Sequence, residues 1–429
     1  MKSRIGVGII GLGTVGSGAL RILLENSSII AQKIGSRVEV LKIADLNPRA
    51  GEGVSFDRSI LTTDAREILD NPDIDIVVEL IGGIHPAKDF ILRAISNGKH
   101  VVTANKELIA KHGSEILDEA GKRGVDFYFE GSVGGGIPII LPLKTSLAAN
   151  RISEVIGIVN GTTNYILTKM TNEGRDFSAV LAEAQEAGYA EKVDPSSDIE
   201  GLDARYKIAI LAAIAFTSRV NLEDVYAEGI TRISLKDIQY ARELGYVIKL
   251  LAIAKQNHTR MEIRVHPTLI PLGHPLASVN DVYNAVYVRG DFVHDVMFYG
   301  RGAGSLPTGS AVAGDIMEIA RNINFGSTGR LPCTCFERRE VVPMEEVVTK
   351  YYMRMLVADR PGVLASIAKV FGDNNVSIAT MVQKDLRGDN AEIVMVTHKV
   401  VEANFRRAIA SIGELAVVAE VSSWIRVED

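Results

Sequence analysis

The chain has 429 residues, 47% apolar and 23% charged, with a formal net charge of −6. That length exceeds one ordinary hydrophobic core and implies two or three domains of normal globular composition. The acidic balance without a basic run argues against nucleic acid, no apolar stretch reaches the ~18 residues of a membrane span, and the N-terminus reads straight into a strand; a cytoplasmic protein is expected.

Residues 5–10 form a short apolar run that breaks into Gly11-Leu12-Gly13-Thr14-Val15-Gly16 and then a helical pattern over 19–25. This is the dinucleotide fingerprint in its strand-to-helix context: Gly11 for a tight turn, Gly13 for approach of a pyrophosphate, Gly16 for helix packing. Further strands are expected at 38–44, 74–80, 100–103 and 125–129, separated by helices. The fold class is therefore α/β, with an N-terminal Rossmann-like dinucleotide-binding domain. Asp45 ends the second strand, where a carboxylate takes the ribose hydroxyls of NAD, whereas Arg49 could receive the 2′-phosphate of NADP. The sequence leaves that choice open. Lys106 follows the strand at 100–103, at the carboxyl edge where ligands sit in such sheets.

From about residue 152 the character changes, with strand-like runs at 152–159, 247–254, 263–270, 285–288 and 296–299 among helices near 161–172, 178–187 and 199–216. Residues 184–207 set Glu191, Asp194, Asp198, Asp203 and Lys207 at close intervals just before the apolar run 208–216. Asp203 and Lys207 are four apart, so they share a helix face that turns aliphatic further along. An ammonium at the mouth of a buried helix needs carboxylate partners, and Asp198 could be one or could cap the helix. An exposed Asp203/Lys207 surface pair is the other reading of this spacing.

An amphipathic helix is expected at 310–322, followed by a Gly-, Pro- and charge-rich linker over 325–348 that holds Cys333 and Cys335, the only cysteines. Two cysteines so close and so late form no zinc cluster, and no histidine pair shows HExxH spacing. With neither zinc nor an early cysteine nucleophile, a hydride-transfer site must polarise its carbonyl with a proton donor, and Lys207 and Lys106 are the candidates. Residues 349–429 read as strand 351–358, helix 362–371, strands 376–383 and 391–398, helix 402–412 and strand 416–427, a βαββαβ order.

Residues 184–207 fit the pattern A-x3-G-Y-x-E-x2-D-P-x2-D-x2-G-x-D-x3-K, which resembles the signature of homoserine dehydrogenases. GLGTVG (11–16), ELIGG (79–83), TANK (103–106), EGSVGGGIPII (130–140), NGTTNYIL (160–167) and GRGAG (300–304) resemble that family's blocks in its order. The resemblance implies NAD(P)H-dependent reduction of L-aspartate 4-semialdehyde to L-homoserine, with Lys207 as proton donor and Lys106 beside the nicotinamide. It implies substrate binding by Glu191; Asp198 and Asp203 as carboxylates that hold the substrate amino group or orient the lysines; cofactor contacts at Leu12, Thr14, Val15, Gly188 and Gly304; and a sodium site from Glu130 with the main-chain oxygens of Val133, Gly135 and Ile137.

The βαββαβ order with the turn Asp359-Arg360-Pro361-Gly362 resembles an ACT domain, and the chain is expected to divide into a nucleotide-binding domain (1–135 plus a returning helix at 305–324), an α+β catalytic and dimerisation domain (136–304), the linker (325–348) and that C-terminal ACT domain (349–429). An ACT domain binds amino acids between paired copies. Threonine is the expected effector, Asp359, Gly362 and Asn375 are its contact candidates, and a homodimer or homotetramer is expected. Another amino-acid dehydrogenase on this scaffold, or a sensor without activity, are the rival readings.

Overall fold

The computed structural model describes residues 2–47, 49–257, 259–385 and 390–429. Two compact units emerge: one holds residues up to Val155, Tyr206–Leu222 and Asn284–Arg339, the other Ile156–Arg205, Glu223–Tyr283 and Glu340–Asp429.

The chain opens with β1 (Arg4–Ile10), α1 (Thr14–Glu25), α2 (Ser27–Ile34), β2 (Arg37–Ala44), β3 (Leu61–Thr62), α3 (Arg66–Leu69), β4 (Ile76–Glu79), α4 (Ala87–Ser96), β5 (His100–Thr103), α5 (Lys106–Arg123), β6 (Phe127–Tyr128) and the short α6 (Ile140–Lys144). The strands pair in the parallel order β3-β2-β1-β4-β5-β6, which reverses direction between β1 and β4. At that reversal the loops after the two strands part, leaving a crevice at their carboxyl ends. β1 is buried from Ile5 to Ile10, as a parallel strand covered on both faces must be.

Then follow β7 (Ile152–Ile158), α7 (Gly161–Glu173), α8 (Phe177–Glu186), α9 (Ser196–Ile199), α10 (Leu202–Ala215), β8 (Tyr226–Ala227), α11 (Leu235–Glu243), β9 (Tyr246–Gln256), β10 (Arg260–Pro271), β11 (Tyr283–Gly290), β12 (His294–Arg301), α12 (Ser305–Phe325) and β13 (Glu340–Val341). The helix expected over 199–216 begins only at Leu202, because Gly201 turns left-handed at φ 81 and separates α10 from the short α9 before it. Only glycine takes that conformation without strain. The returning helix is longer than its apolar stripe suggested, running Ser305–Phe325, and joins the core of the first unit through Val312, Ile316 and Ile319.

The remaining elements are β14 (Val348–Ala358), α13 (Val363–Asp373), β15 (Ile378–Asp385), β16 (Asn390–Thr397), β17 (Val400–Val401), α14 (Glu402–Gly413) and β18 (Val418–Val427). They form the βαββαβ module, with strand order β18-β14-β16-β15. Tyr351, Met353, Met355 and Val357 of β14 enter its core with Ile367, Phe371, Phe405 and Ile412. The alternate residues Tyr352 and Arg354 face the other way, reaching Asp237 of α11 at 3.1 and 2.9 Å.

β9 and β10 form an antiparallel hairpin. The outer edge of β10 is closed by three two-residue parallel pairings: β13 at Arg260 and Met261, β8 at Arg264 and Val265, and β18 at Thr268 and Leu269. The module's sheet thus continues into that hairpin. Among the described residues, no helix is long and apolar enough to cross a membrane.

Candidate active site

The glycine-rich turn is built as its spacing requires. Gly11 sits at φ 98 with its amide donating to Ala44 O at 2.8 Å, and a side chain on Gly16 would meet Gly11 O at 2.1 Å. Over Gly13 the space is open: an added Cβ there meets nothing within 4 Å. Gly13 caps α1 without any side-chain acceptor for the first-turn amides. Open space above a glycine and a helix N-terminus left to an external acceptor fit a pyrophosphate. Gly13→Val should raise KM for the dinucleotide at least about tenfold at unchanged Tm, because it fills that space without disturbing extended backbone. An unchanged KM would place the phosphates elsewhere.

Asp45 braces this turn as well as ending β2. Its carboxylate accepts from Leu12 N at 2.6 Å and Asn47 N at 2.8 Å, while Arg49 is exposed and its amide donates to Asn47 Oδ1 at 3.0 Å. Thr14 and Val15 open α1, and Thr14 O accepts from Ser305 Oγ at 2.7 Å, so Gly304, the N-terminal cap of α12, lies beside the turn. Gly188 is exposed in the turn after α8.

Lys106 is the first residue of α5, and the elements before it are tightly fixed. Buried Glu79 accepts from Ile81 N (2.8 Å), Gly82 N (3.2 Å) and Thr103 Oγ1 (2.7 Å), and Thr103 Oγ1 in turn accepts from Asn105 N (3.0 Å). Asn105 caps α5 through Leu108 N at 3.1 Å and donates to Gly83 O at 2.6 Å. The half-buried Lys106 is therefore presented at the carboxyl ends of β4 and β5.

α5 runs alongside the segment bearing Lys207. Lys111 Nζ lies 5.6 Å from the Tyr206 ring and Asp118 pairs with Arg219 at 3.1 Å, so the numbering rises in the same sense along both. Lys106 and Lys207 consequently lie toward the same end.

Asp203 and Lys207, one turn apart on α10, are 4% and 8% exposed. The exposed surface pair is thereby excluded. Asn160, which the sequence reading did not single out, caps α7 through Thr163 N (2.9 Å) and donates its amide hydrogens to Asp198 (2.7 Å) and Asp203 (2.9 Å). One carboxamide thus joins two carboxylates. Thr162 Oγ1 lies 3.2 Å from Asp198 and donates to Tyr189 O at 2.5 Å. An asparagine before a helical run is a capping signal in sequence, but its second role is visible only in three dimensions. Glu191 is not gathered with this pair: it lies on the exposed stretch 191–194, where its main-chain oxygen accepts from Gln185 Nε2 at 2.9 Å.

Glu130 uses its carboxylate as a helix cap, accepting from Ile139 N (2.6 Å), Ile140 N (2.8 Å) and Leu141 N (2.6 Å) at the start of α6. Its amide donates to Asp315 at 2.9 Å, and burial, with Glu130 beside it, pushes the Asp315 carboxyl well above the usual range. Val133, Gly135 and Ile137 follow in a buried loop. Among the described residues there is no group of three or more His, Cys, Asp or Glu side chains able to hold a metal ion. A cation here would rest on main-chain oxygens. In the C-terminal module, Asp359 and Gly362 sit at the N-terminal end of α13 and Asn375 beyond its other end, an 11-residue helix or roughly 16 Å away.

Family models match over three stretches: a homoserine dehydrogenase NAD-binding domain at residues 11–130, homoserine dehydrogenase at 138–317 and an ACT domain at 351–417. The chain is 49% identical to a homoserine dehydrogenase of Synechocystis sp. over 98% of its own length and 99% of that protein's. It is 42% identical to one from Bacillus subtilis over 99% and 98%. A crystal structure of a homoserine dehydrogenase from Thiobacillus denitrificans superposes with a TM-score of 0.94 at 45% identity, covering 99% of this chain and 98% of that one.

Proposed function

The chain belongs to the homoserine dehydrogenase family, an NAD(P)-dependent oxidoreductase acting on a CH–OH group, and on that premise we propose how its residues divide the work. The reaction is the interconversion of L-aspartate 4-semialdehyde and L-homoserine. The bound nicotinamide supplies the hydride, and the protein supplies position and the proton. Lys207 donates that proton to the aldehyde oxygen, while Lys106 lines the site from the start of α5. Asp198 and Asp203, held by Asn160, receive the substrate's ammonium, and Glu191 is the further substrate-binding carboxylate. The carrying observation is the burial of Asp203 and Lys207 one turn apart on α10, with Asp203 tied to Asp198 by one amide. The test is reduction of aspartate semialdehyde by purified protein, followed as loss of NADH or NADPH absorbance; no loss with either cofactor would refute the assignment.

Gly11 to Gly16, Gly188 and Gly304 form the cofactor contacts in this reading, with residues 1–135 and 305–324 as the nucleotide-binding domain, 136–304 as the catalytic domain and 349–429 as the regulatory one. The carboxylate of Asp45 favours ribose hydroxyls and the guanidinium of Arg49 favours a 2′-phosphate. Asp45→Ala should therefore raise KM for NADH more than for NADPH, and Arg49→Ala should do the reverse. Equal changes for both cofactors in both variants would remove these residues from the choice.

A sodium ion on the 133–137 loop, held by main-chain oxygens including that of Glu130, would act structurally, and exchanging sodium for choline should lower Tm. Threonine is the proposed effector, bound between ACT modules paired in a homodimer or homotetramer. Asp359 and Gly362 on one side and Asn375 on the other are too far apart within one copy to hold one small amino acid, which supports a site shared between copies. Threonine added to the assay should slow turnover, and loss of that inhibition in Asp359→Ala at unchanged basal rate is the expected result. The protein is proposed to work in the cytoplasm.

A further inference from the structure

The stretch from β8 to the start of α11 is held by the C-terminal module at both ends. At its near end, Arg426 Nη1 of β18 donates to Glu228 Oε2 at 2.7 Å, and Tyr226 OH donates to the same oxygen at 2.8 Å. Arg426 is itself 1% exposed and fixed by two bonds to Glu402, at 2.8 and 2.7 Å, with its guanidinium 5.0 Å from the Tyr226 ring. At the far end, Arg354 of β14 donates to Asp237 at 2.9 Å and to Ser234 Oγ at 3.3 Å, the two residues that form the capping box of α11.

Between those anchors the backbone lies against α9. Glu228 N donates to Val265 O of β10 at 2.8 Å, and Ile230 N donates to Ile199 O at 2.9 Å. Gly229 passes so close that an added Cβ would fall inside the contact distance of Ile199 O and lie 2.5 Å from Glu200 Cα. Ile199 directly follows Asp198, whose carboxylate accepts from Asn160 at 2.7 Å. α9 has only four residues, too few for a helix to hold its own shape or place, so the main chain beneath Asp198 stands where residues 229–230 put it.

We propose that Glu228 is a positioning residue for substrate binding: clasped by Arg426, it holds residues 229–230 against α9 and so sets where the Asp198 carboxylate stands. This rests on the reading in which Asp198 receives the substrate's ammonium. Glu228 acts through main chain rather than by contact with the substrate, so its effect falls on affinity for the amino acid and not on hydride or proton transfer.

The test is homoserine oxidation by the full-length protein, with KM for homoserine, KM for the oxidised dinucleotide and kcat measured in each variant. Glu228→Ala should raise the homoserine KM at least about fivefold, with kcat and the dinucleotide KM within about twofold of the parent. Glu228→Gln, which keeps an acceptor for Arg426, should recover most of the difference. Gly229→Ala, which pushes on Ile199 O and leaves the ion pair intact, should raise the same KM. In an Asp198→Ala background the further change Glu228→Ala should lower kcat/KM by less than about twofold, because no carboxylate remains to be positioned. An unchanged homoserine KM in Glu228→Ala beside a raised one in Asp198→Ala would overturn this proposal alone, whereas an unchanged KM in Asp198→Ala would overturn the reading of the site with it. Full additivity of the two changes, or homoserine and dinucleotide KM values that rise together in Glu228→Ala, would make Glu228 a general brace of the fold and also overturn the proposal.

Discussion

Replacing Lys207 by alanine will lower turnover roughly 10²–10⁴-fold while leaving dinucleotide affinity within about twofold of the parent. The side chain is 8% exposed and stands one turn beyond Asp203, in the polar first half of a helix that becomes aliphatic at Ile208. A buried ammonium is costly to keep, and where it donates a proton to the reacting oxygen its removal acts on the chemical step. The proposed cofactor site, by contrast, is the open space over Gly13 and the first turn of α1, which Lys207→Ala does not touch. Single-turnover reduction and fluorescence titration with NADPH separate the two effects. Loss of nucleotide binding with a proportionate fall in Tm would make Lys207 a structural residue and remove the proposed donor.

Glu402→Ala should cost about 3–5 kcal/mol of stability, because it strands a buried guanidinium. Arg426 is 1% exposed and Glu402 fully buried; they pair twice, at 2.8 and 2.7 Å, while Arg426 also meets Glu228 at 2.7 Å and Tyr351 OH donates to Glu402 at 3.0 Å. Burial alone would raise the Glu402 carboxyl, but Arg426 and Arg406 bring it below its ordinary 4.5. A depressed folded value means the pair contributes fully above about pH 4.5 and its contribution fades as pH falls through the lower folded value. Arg426→Met combined with Glu402→Leu should recover part of the loss, since the buried pair is removed whole and the partners it leaves, Glu228 and Arg406, are partly exposed to water. Denaturant melts of the single and double variants check this. A double variant no more stable than Glu402→Ala would show that packing, not the stranded charge, sets the cost.

What the sequence made legible was local. The turn at Gly11 to Gly16 is dictated by residues adjacent in the chain and stands where the motif puts it. The break at Gly201 was hidden because the apolar run continues on its far side and a lone glycine in a helical pattern is ambiguous. The bond from Asn160 to Asp198 and Asp203 spans 38 and 43 positions, beyond the reach of any periodicity. Glu130 was expected as an oxygen ligand, yet its side chain is absorbed by three amides nine to eleven residues ahead. β8, β13 and the end of β18, two residues each where they meet β10, are too short to show alternation at all.

Those short pairings bear on how the nascent chain matures. β8 precedes β10 in the chain and can dock at once, but the residues that cover Thr268 and Leu269 arrive about 160 positions later. At ordinary ribosomal speed that is a wait of roughly 10–30 s. During it the outer rim of β10 offers bare peptide groups to any strand nearby, including one from a neighbouring polysome product. Stalled or prematurely terminated translation products that end before residue 426 should therefore be the aggregating species, while release of the finished polypeptide seals the rim.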